Sequence, residues 1–289
     1  MWNFFEPKNS QWYRWKLDGA SFWMYRNGEE WRFALKTMPF KHLQSDADGP
    51  SPVDPPEGIS ASLAVSAGTR VALRPRPSPI PYLISARNDV TIHPGTEAWF
   101  TIALPPVLRL ELDSGYTLFE GSPFTTTTTW FGDKTSGNLC LSLPIELDPE
   151  CKNEQSPVAS DEHSAGLGLA TEGPSSISFS MRESLQRAAQ YLACKSLIHC
   201  RIVIKNRSKD PLDVERLAIF TDLMNVYEKE GTLVSDTVVI TGTADGSLQT
   251  NIDDSDSRGL QKIHIAAKTG LNEVLIRRGV SFLRRITGL

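Results

Sequence analysis

The fold is decided near the start of the chain, where residues 15–35 read WKLDGASFWMYRNGEEWRFAL. Short aromatic runs in this stretch are separated by turn residues at Gly19 and at Asn27-Gly28. Asn-Gly is the strongest short signal for a tight hairpin, and aromatic side chains suit a half-buried pleated sheet. The stretch therefore predicts an antiparallel meander of short strands.

The aromatic side chains of this N-terminal region have two interpretations. Five of the seven tryptophans lie here, namely Trp2, Trp12, Trp15, Trp23 and Trp31. They either pack in the core of the meander or form an exposed face that stacks on sugars. Core packing is the favoured interpretation, because aromatic residues suit a half-buried sheet. The exposed face would instead indicate a carbohydrate-binding or small-ligand-binding protein, or a hydrolase.

Short strand-like runs continue through the rest of the chain. Val107 to Leu112 alternates apolar residues with Arg109 and Glu111, which is the period of a strand with one solvated face. Similar runs recur at a spacing of roughly ten residues, as in β-sandwich proteins. We therefore expect a mainly β fold, an antiparallel β-sandwich, with two β-subdomains as an alternative arrangement.

Polar segments divide the chain. Residues 44–58 are rich in Pro, Gly and acidic residues, which predicts a loop. Residues 148–178 have few large apolar residues and cannot offset the entropy of ordering, so we expect a mobile insertion there. The expected organisation is an aromatic-rich β half at 1–147, this insertion, and a second β half with a terminal helix at 179–289. A further polar loop is predicted at 243–259.

The C-terminal segment, residues 271–289, has the period of an amphipathic helix. Its candidate partner-binding residues are the basic Arg277, Arg278, Arg284 and Arg285 and the apolar Leu275, Phe282 and Leu283. A basic amphipathic helix lies on an anionic membrane surface or docks in the groove of a partner. The same pattern also fits a helix that packs its apolar stripe on the chain's own sheets.

Composition excludes several classes of protein. The chain has 289 residues and a formal net charge of -4, which argues against a dedicated nucleic-acid binder. Four cysteines are too few for a disulfide framework. The N-terminus lacks the basic and apolar regions of a secretory signal, so we expect a cytoplasmic protein with free thiols.

Motifs for known chemistry are absent from the sequence. It contains no phosphate-binding Gly-x-x-x-x-Gly-Lys-Ser/Thr loop, no Cys-x-x-Cys pair and no His-Glu-x-x-His pair. Cys194, His199 and Cys200 are close in sequence but lack a zinc-site spacing, which favours buried structural thiols. We therefore expect no catalytic residue, metal or cofactor.

The most specific motif is a run of threonines, 125–129, followed by Trp130-Phe131-Gly132-Asp133. β-Branched threonine favours extended chain, and Gly-Asp favours a turn. Two interpretations remain open. Either Trp130 holds down a strand–loop–strand connection, or Trp130, Phe131 and Asp133 form an exposed contact loop.

Three blocks of the sequence resemble the uncharacterised domain-of-unknown-function family 432. They are Trp23 with Glu30-Trp31-Arg32, Thr129 to Asp133 with Gly137 and Leu139-Cys140, and His199-Cys200-Arg201 with Asn206, Leu212 and Arg216-Leu217. The family often has a lysine before its Trp-Phe-Gly segment, whereas this chain has threonine.

The resemblance implies no activity, cofactor or catalytic residue. It does imply an association, because such genes are often found beside small-conductance mechanosensitive channels. Together with the basic terminal segment, this leads to one hypothesis. We expect a non-enzymatic cytoplasmic protein-binding module, peripheral at the inner face of the membrane, that contacts such a channel or the anionic membrane surface.

Overall fold

A computed structural model describes residues 1–132, 137–147, 189–245 and 247–266. Within these ranges the fold is mainly β and contains several antiparallel sheets. Its helical parts are two short 3-10 turns, Phe40–His42 and Ser255–Ser257, and a helical stretch at 189–193.

The strands are numbered in chain order. They are β1 (Gln11–Leu17), β2 (Ala20–Asn27), β3 (Glu30–Lys36), β4 (Met38–Pro39), β5 (Ala47–Val53), β6 (Ser62–Val65), β7 (Val71–Arg76), β8 (Tyr82–Ile92), β9 (Glu97–Leu104), β10 (Val107–Leu112), β11 (Thr117–Gly121), β12 (Phe124–Thr125), β13 (Thr127–Phe131), β14 (Asn138–Leu147), β15 (Ile198–Asn206), β16 (Leu212–Ile219), β17 (Val226–Lys229), β18 (Thr232–Ser235), β19 (Thr237–Gly242), β20 (Leu248–Asp253) and β21 (Gln261–His264).

The N-terminal meander is confirmed. Strands β1, β2 and β3 pair antiparallel in the centre of a five-stranded sheet, with β5 and β6 at its edges. The first turn contains Asp18 and Gly19, both with positive φ (49° and 103°). The second turn contains Gly28, with a φ of 62°. Glycine adopts such φ values without a steric penalty, which explains the sharp turns between aromatic strands.

A three-stranded antiparallel sheet follows, in the order β11-β10-β7. Its strand β10 has the predicted alternation: Leu108, Leu110 and Leu112 are fully buried, whereas Arg109 and Glu111 lie on the opposite face. One face of the sheet therefore contributes to the core and the other carries charged side chains.

The other two large sheets mix strand directions, so the expectation of purely antiparallel pairing is incomplete. In the order β13-β14-β8-β16, strands β14 and β8 run parallel. In the seven-stranded sheet, β15 pairs antiparallel with β9 on one side and parallel with β18 and β19 on the other. Parallel neighbours require crossover connections, which local turn signals do not reveal.

One main apolar cluster unites these sheets. It includes Trp2, Trp15 and Trp31, which are fully buried, together with apolar residues of β9, β10 and β15. Trp23 is also buried. Core packing is thus the correct interpretation of these aromatic side chains.

Strands from either side of residues 148–188 also pair with each other, β8 with β16 and β9 with β15.

Two predicted loops contain strands. The segment 44–58 includes β5, an edge strand in which Pro50 and Pro52 are tolerated because one side of an edge strand needs no ladder partner. The segment 243–259 includes β20, whose residues alternate between intermediate and exposed. Both strands lie at sheet edges and contain few apolar residues, so their hydrophobic pattern is weak.

Two predictions lie outside the described residues, namely the insertion at 148–178 and the terminal helix at 271–289. Residues 181–192 consist largely of good helix formers; of these only residues from 189 onward are described, and these are helical. Within the described ranges, no helix is long and apolar enough to cross a membrane.

Candidate functional site

The threonine motif forms an antiparallel hairpin. Strand β13 pairs with β14 so that Trp130 lies opposite Leu139 and Thr129 lies opposite Cys140. Successive side chains of a strand point to opposite faces, so the motif presents two different surfaces.

One face of the hairpin is fixed to the protein. Phe131 packs against a small cluster formed by Leu83, Cys140 and Ala218, with Phe220 also in contact. Cys140 is fully buried, and this burial raises the pKa of its thiol to about 11. Phe131, rather than Trp130, is therefore the aromatic residue that holds the hairpin in place.

The other face is exposed. Trp130 is 69% exposed and Leu139, directly opposite it, is 39% exposed. Thr128, on the same face as Trp130, is also exposed. We call Thr128, Trp130 and Leu139 the hairpin patch. This exposure excludes the interpretation in which Trp130 holds down the strand–loop–strand connection.

Glycine shapes the end of the hairpin. Gly132 has a φ of 104°, and a Cβ atom added there would lie 3.1 Å from the Cα of Gly137. The two backbone segments thus approach so closely that a side chain at position 132 would be both strained and crowded. Asp133, the third candidate residue of the contact loop, lies outside the described residues.

Strand β13 is also an edge strand. In its four-stranded sheet it pairs with β14 on one side, and no described strand pairs with its other side. Edge strands offer backbone N–H and C=O groups to an additional strand. The hairpin patch therefore combines an exposed tryptophan with an edge that is suited to strand pairing.

A cavity of about 370 Å³ lies at the base of the hairpin. Its lining consists of Pro39, Phe40, Lys41, Thr125, Thr126, Thr127, Ser142 and Pro144. Four hydroxyl-bearing residues and one lysine are among those that line this hydroxyl cavity, and none of the lining residues is acidic. The threonine run in the sequence includes three of the lining residues. Lys41 is brought close to them by the pairing of β4 with β12, for which the sequence gives no signal.

The thiols near His199 are structural. Cys194 and Cys200 are fully buried, and burial raises the pKa of each thiol to about 12. The Nε2 atom of His199 lies 3.1 Å from the backbone oxygen of Cys194. In the described part of the chain, no group of three or more His, Cys, Asp or Glu residues is arranged to hold a metal ion.

A buried carboxylate connects three segments of the chain. Asp18, in the first hairpin turn, accepts hydrogen bonds from the backbone N–H of Ser196 at 2.7 Å and that of Asp46 at 3.1 Å, and from the Ser196 hydroxyl. Burial raises the pKa of Asp18, while the bonds from Ser196 oppose that rise. Its oxygens are occupied by these partners, so Asp18 has a structural role.

The candidate residues of the C-terminal segment are not brought into this site by the described structure. Arg277, Arg278, Arg284, Arg285, Leu275, Phe282 and Leu283 all lie outside the described residues. The structure thus locates two of the predicted contact residues, Trp130 and Phe131. It adds Leu139 and the hydroxyl cavity, which sequence reasoning missed.

The fold and the site define a mainly β protein with a solvent-exposed apolar patch on an edge hairpin. The chain belongs to the family described as "Protein of unknown function (DUF432)", whose model matches residues 1–280. This match confirms the resemblance found in the three sequence blocks. No curated protein and no solved structure gives a significant match to the chain.

Proposed function

We propose that this protein is a non-enzymatic binding module that recognises another protein through the hairpin patch. The observation that carries the proposal is the 69% exposure of Trp130 beside the exposed Leu139. Tryptophan is enriched among the residues that dominate binding energy at protein interfaces. A solvent-exposed Trp–Leu pair therefore supports a contact site.

Backbone pairing is the proposed mode of binding. An extended segment of the partner adds to the side of β13 on which no described strand pairs, and its side chains pack on Trp130 and Leu139. Main-chain hydrogen bonds supply affinity in this mode, and alternate side chains supply specificity. The threonines of β13 favour the extended conformation that such pairing requires.

We propose a membrane protein as the partner, specifically a mechanosensitive-type channel at the inner face of the membrane. The support is the gene association implied by the family resemblance and the basic residues of the terminal segment. Arg277, Arg278, Arg284 and Arg285 would contact acidic groups of the channel or of anionic lipids, and Leu275, Phe282 and Leu283 would supply apolar contacts.

The same proposal includes two structural elements. The large sheets pack as a β-sandwich, and residues 271–289 form an amphipathic helix. Circular dichroism of a peptide with this sequence tests the second element, because helix content should rise on vesicles containing anionic lipid. A peptide that stays unfolded on such vesicles, and a full chain that does not sediment with them, would contradict the membrane contact.

Site-specific photocrosslinking tests the hairpin patch. A photoreactive amino acid is placed at Thr128, which is exposed next to Trp130, and at Tyr116 as a control that is exposed in the turn between β10 and β11. The full chain is then irradiated with native membranes. We expect the channel to be crosslinked from position 128 and not from position 116.

Affinity for the purified channel provides the quantitative test. Trp130→Ala should weaken binding by about 30-fold or more, the effect of a tryptophan that dominates an interface. Tyr116→Ala is the matched control and should leave affinity unchanged. Equal affinities of the wild type and Trp130→Ala would reject the hairpin patch as the binding surface.

The second candidate function is small-ligand binding, and the hydroxyl cavity favours it. Four hydroxyl-bearing residues and Lys41 are among those that line a space of about 370 Å³, which is within the size range of small-molecule sites. The N-terminal tryptophans do not support this function, because four of the five are buried. A ligand that protects the wild type against thermal unfolding but not Thr126→Val would favour this alternative.

A further inference from the structure

The hydroxyl-bearing residues of the hydroxyl cavity are open to solvent. Thr125 and Thr127 are exposed, and Thr126 and Ser142 are partly exposed. Among the described residues, none forms a hydrogen bond with the side-chain hydroxyl of any of these four. A hydroxyl group carries one donor and two acceptor sites. A solute therefore reaches the cavity from solution and meets hydroxyls that no described residue occupies.

Lys41 gives the hydroxyl cavity a positive charge. Its side chain is exposed and belongs to the 3-10 turn Phe40–His42, which directly follows β4. In the described part of the chain, no carboxylate forms an ion pair with Lys41. None of the residues that line the cavity is acidic. The charge of the Lys41 ammonium is thus not neutralised by any lining residue.

Paired strands and a buried ring form the frame of the cavity. Thr127 lies opposite Ser142 in the β13–β14 pair, and Thr125 lies opposite Pro39 in the β12–β4 pair. Phe40 is only 1% exposed, and its ring stacks on Tyr191 with a centroid distance of 5.1 Å. Because Phe40 is covered, it offers little surface on which a sugar or another flat group could stack. The lining therefore favours a ligand held by polar groups.

The cavity and the hairpin patch use opposite faces of the same hairpin. Successive side chains of a strand alternate between the two faces. Thr127 and Ser142 therefore lie on the face opposite Trp130 and Leu139. A ligand in the hydroxyl cavity leaves Trp130 uncovered, so binding at the two surfaces is measured separately.

We propose that the hydroxyl cavity binds a small molecule that carries an oxyanion, either a phosphate or a carboxylate. The Lys41 ammonium pairs with the anion, and the hydroxyls of the cavity donate to its remaining oxygens. An ammonium group has three donors and no acceptor, so it selects a ligand rich in acceptors. Charged hydrogen bonds are about twice as strong as neutral ones, and lysine binds phosphate as a point charge. The inference rests on the second candidate function, small-ligand binding, and names its ligand class.

Calorimetric titration of the full chain with three related probes tests the proposal. Glycerol phosphate and glycerate each carry one oxyanion on a short polyol, and glycerol is the neutral match. Chloride holds the ionic strength constant. Glycerol phosphate or glycerate should bind saturably at one site, and glycerol at least roughly tenfold more weakly, as expected when a charged hydrogen bond is missing. The tighter of the two anions identifies the oxyanion.

A lysine variant tests the role of the charge. Lys41→Gln should lower the affinity for the anion roughly tenfold or more and leave the affinity for glycerol unchanged. Lys229→Gln is the matched control, because Lys229 is exposed at the end of β17 in the seven-stranded sheet. Equal affinities of Lys41→Gln and the wild type for the anion, or an equal loss in Lys229→Gln, would overturn the proposal.

A measurement on the wild type needs no variant. The methyl resonance of Thr126 should shift during titration with the anion, whereas the indole Nε1–H resonance of Trp130 should not. An unmoved Thr126 signal at saturation would overturn the proposal. Equal binding of glycerol and both anions would reject the oxyanion but keep small-ligand binding. If none of the three probes bound, both the ligand class and the second candidate function would be rejected.

Discussion

Trp31 and Trp130 show how one residue type serves two purposes in this chain. Trp31 is fully buried, and its Nε1 donates a hydrogen bond to the backbone oxygen of Ser66 at 2.9 Å. The Arg26 guanidinium covers the same ring at 5.3 Å. Trp130 is mostly exposed to solvent. The fold therefore places one tryptophan in the core and the other on the surface.

Substituting these two tryptophans should have opposite effects on stability. Trp31→Ala removes a fully buried ring and should lower the free energy of unfolding by about 3–5 kcal/mol. Trp130→Ala should change it by no more than about 0.5 kcal/mol, as is usual for surface positions. Urea unfolding followed by circular dichroism measures both. A large loss of stability in Trp130→Ala would mean that Trp130 also belongs to the core.

His264 should make stability depend on pH. Its pKa is lowered to about 4 in the folded protein, against an ordinary value near 6.5. Between these values the unfolded chain binds a proton that the folded chain does not. The stabilisation from the neutral imidazole is therefore complete above pH 6.5 and is lost as the pH falls towards 4.

The variant His264→Gln isolates this effect. The loss of unfolding free energy between pH 7.5 and pH 5 should be smaller in His264→Gln than in the wild type. His42→Gln, at an exposed position, is the control and should retain the wild-type difference. An identical pH dependence in His264→Gln and the wild type would show that His264 is not held in its neutral form.

At the scale of elements, the hairpin of β13 and β14 depends on its terminal glycines. Gly132 has a φ of 104° and lies close to the backbone of Gly137, whereas Gly28 has a φ of 62° and open space around it. Both occupy turns between paired strands. The hairpin end therefore tolerates a side chain less well than the turn between β2 and β3.

Alanine substitutions should reveal this difference. Gly132→Ala combines an unfavourable φ with a contact at 3.1 Å and should cost about 2–3 kcal/mol. Gly28→Ala meets no neighbour, and only the left-handed conformation opposes it, at about 1 kcal/mol. Denaturant unfolding of both variants gives the comparison. If Gly28→Ala proved the more damaging, the close approach of Gly132 and Gly137 would be excluded.

The accuracy of the sequence predictions also varies by element. Strand β10 was predicted with its observed ends because apolar and charged residues alternate along it. By contrast, the segment from Thr232 to Thr241, in which β-branched and apolar residues predominate, divides into β18 and β19 at Asp236, a buried residue whose carboxylate accepts hydrogen bonds from Asn225 and Tyr227. That interruption depends on tertiary partners, so local pattern could not reveal it.

The candidate sites likewise combine features that the local sequence predicts with features that only long-range contacts create. The threonine motif and Trp130 were identifiable from the sequence, but whether Trp130 is exposed depends on Phe131 occupying the small cluster beneath the hairpin. The grouping of Arg74, Arg76 and Arg109 on the three-stranded sheet had only one sign in the sequence, the alternation around Arg109. Its assembly requires the register of β7 with β10 and the approach of β21, which are long-range contacts.

At the scale of the whole molecule, the described apolar residues form one main cluster and one small cluster. The main cluster contains Cys194 and Cys200, and the small one contains Cys140. Regions with fewer buried contacts open at lower free energy than the main core. The edge hairpin over the small cluster should therefore open before the main core.

Thiol labelling should report this order of opening. In a Cys151→Ser background, Cys140, Cys194 and Cys200 should all react slowly under native conditions, because burial raises their pKa values to about 11, 12 and 12. In moderate urea, Cys140 should become reactive before Cys200. Pulse labelling with peptide mapping measures the sites separately. Simultaneous labelling of Cys140 and Cys200 would indicate that the protein opens as a single unit.

The pairing of β9 with β15 and of β8 with β16 bears on how the protein is made. During translation, β8 and β9 leave the ribosome long before their partner strands exist. Phe100, Ile102 and Leu104, buried in the finished protein, are then uncovered, and unpaired apolar strands promote aggregation. A nascent chain that stops between residues 148 and 188 would keep these edges open, and its recovery in soluble form would require the second half to be produced in the same cell.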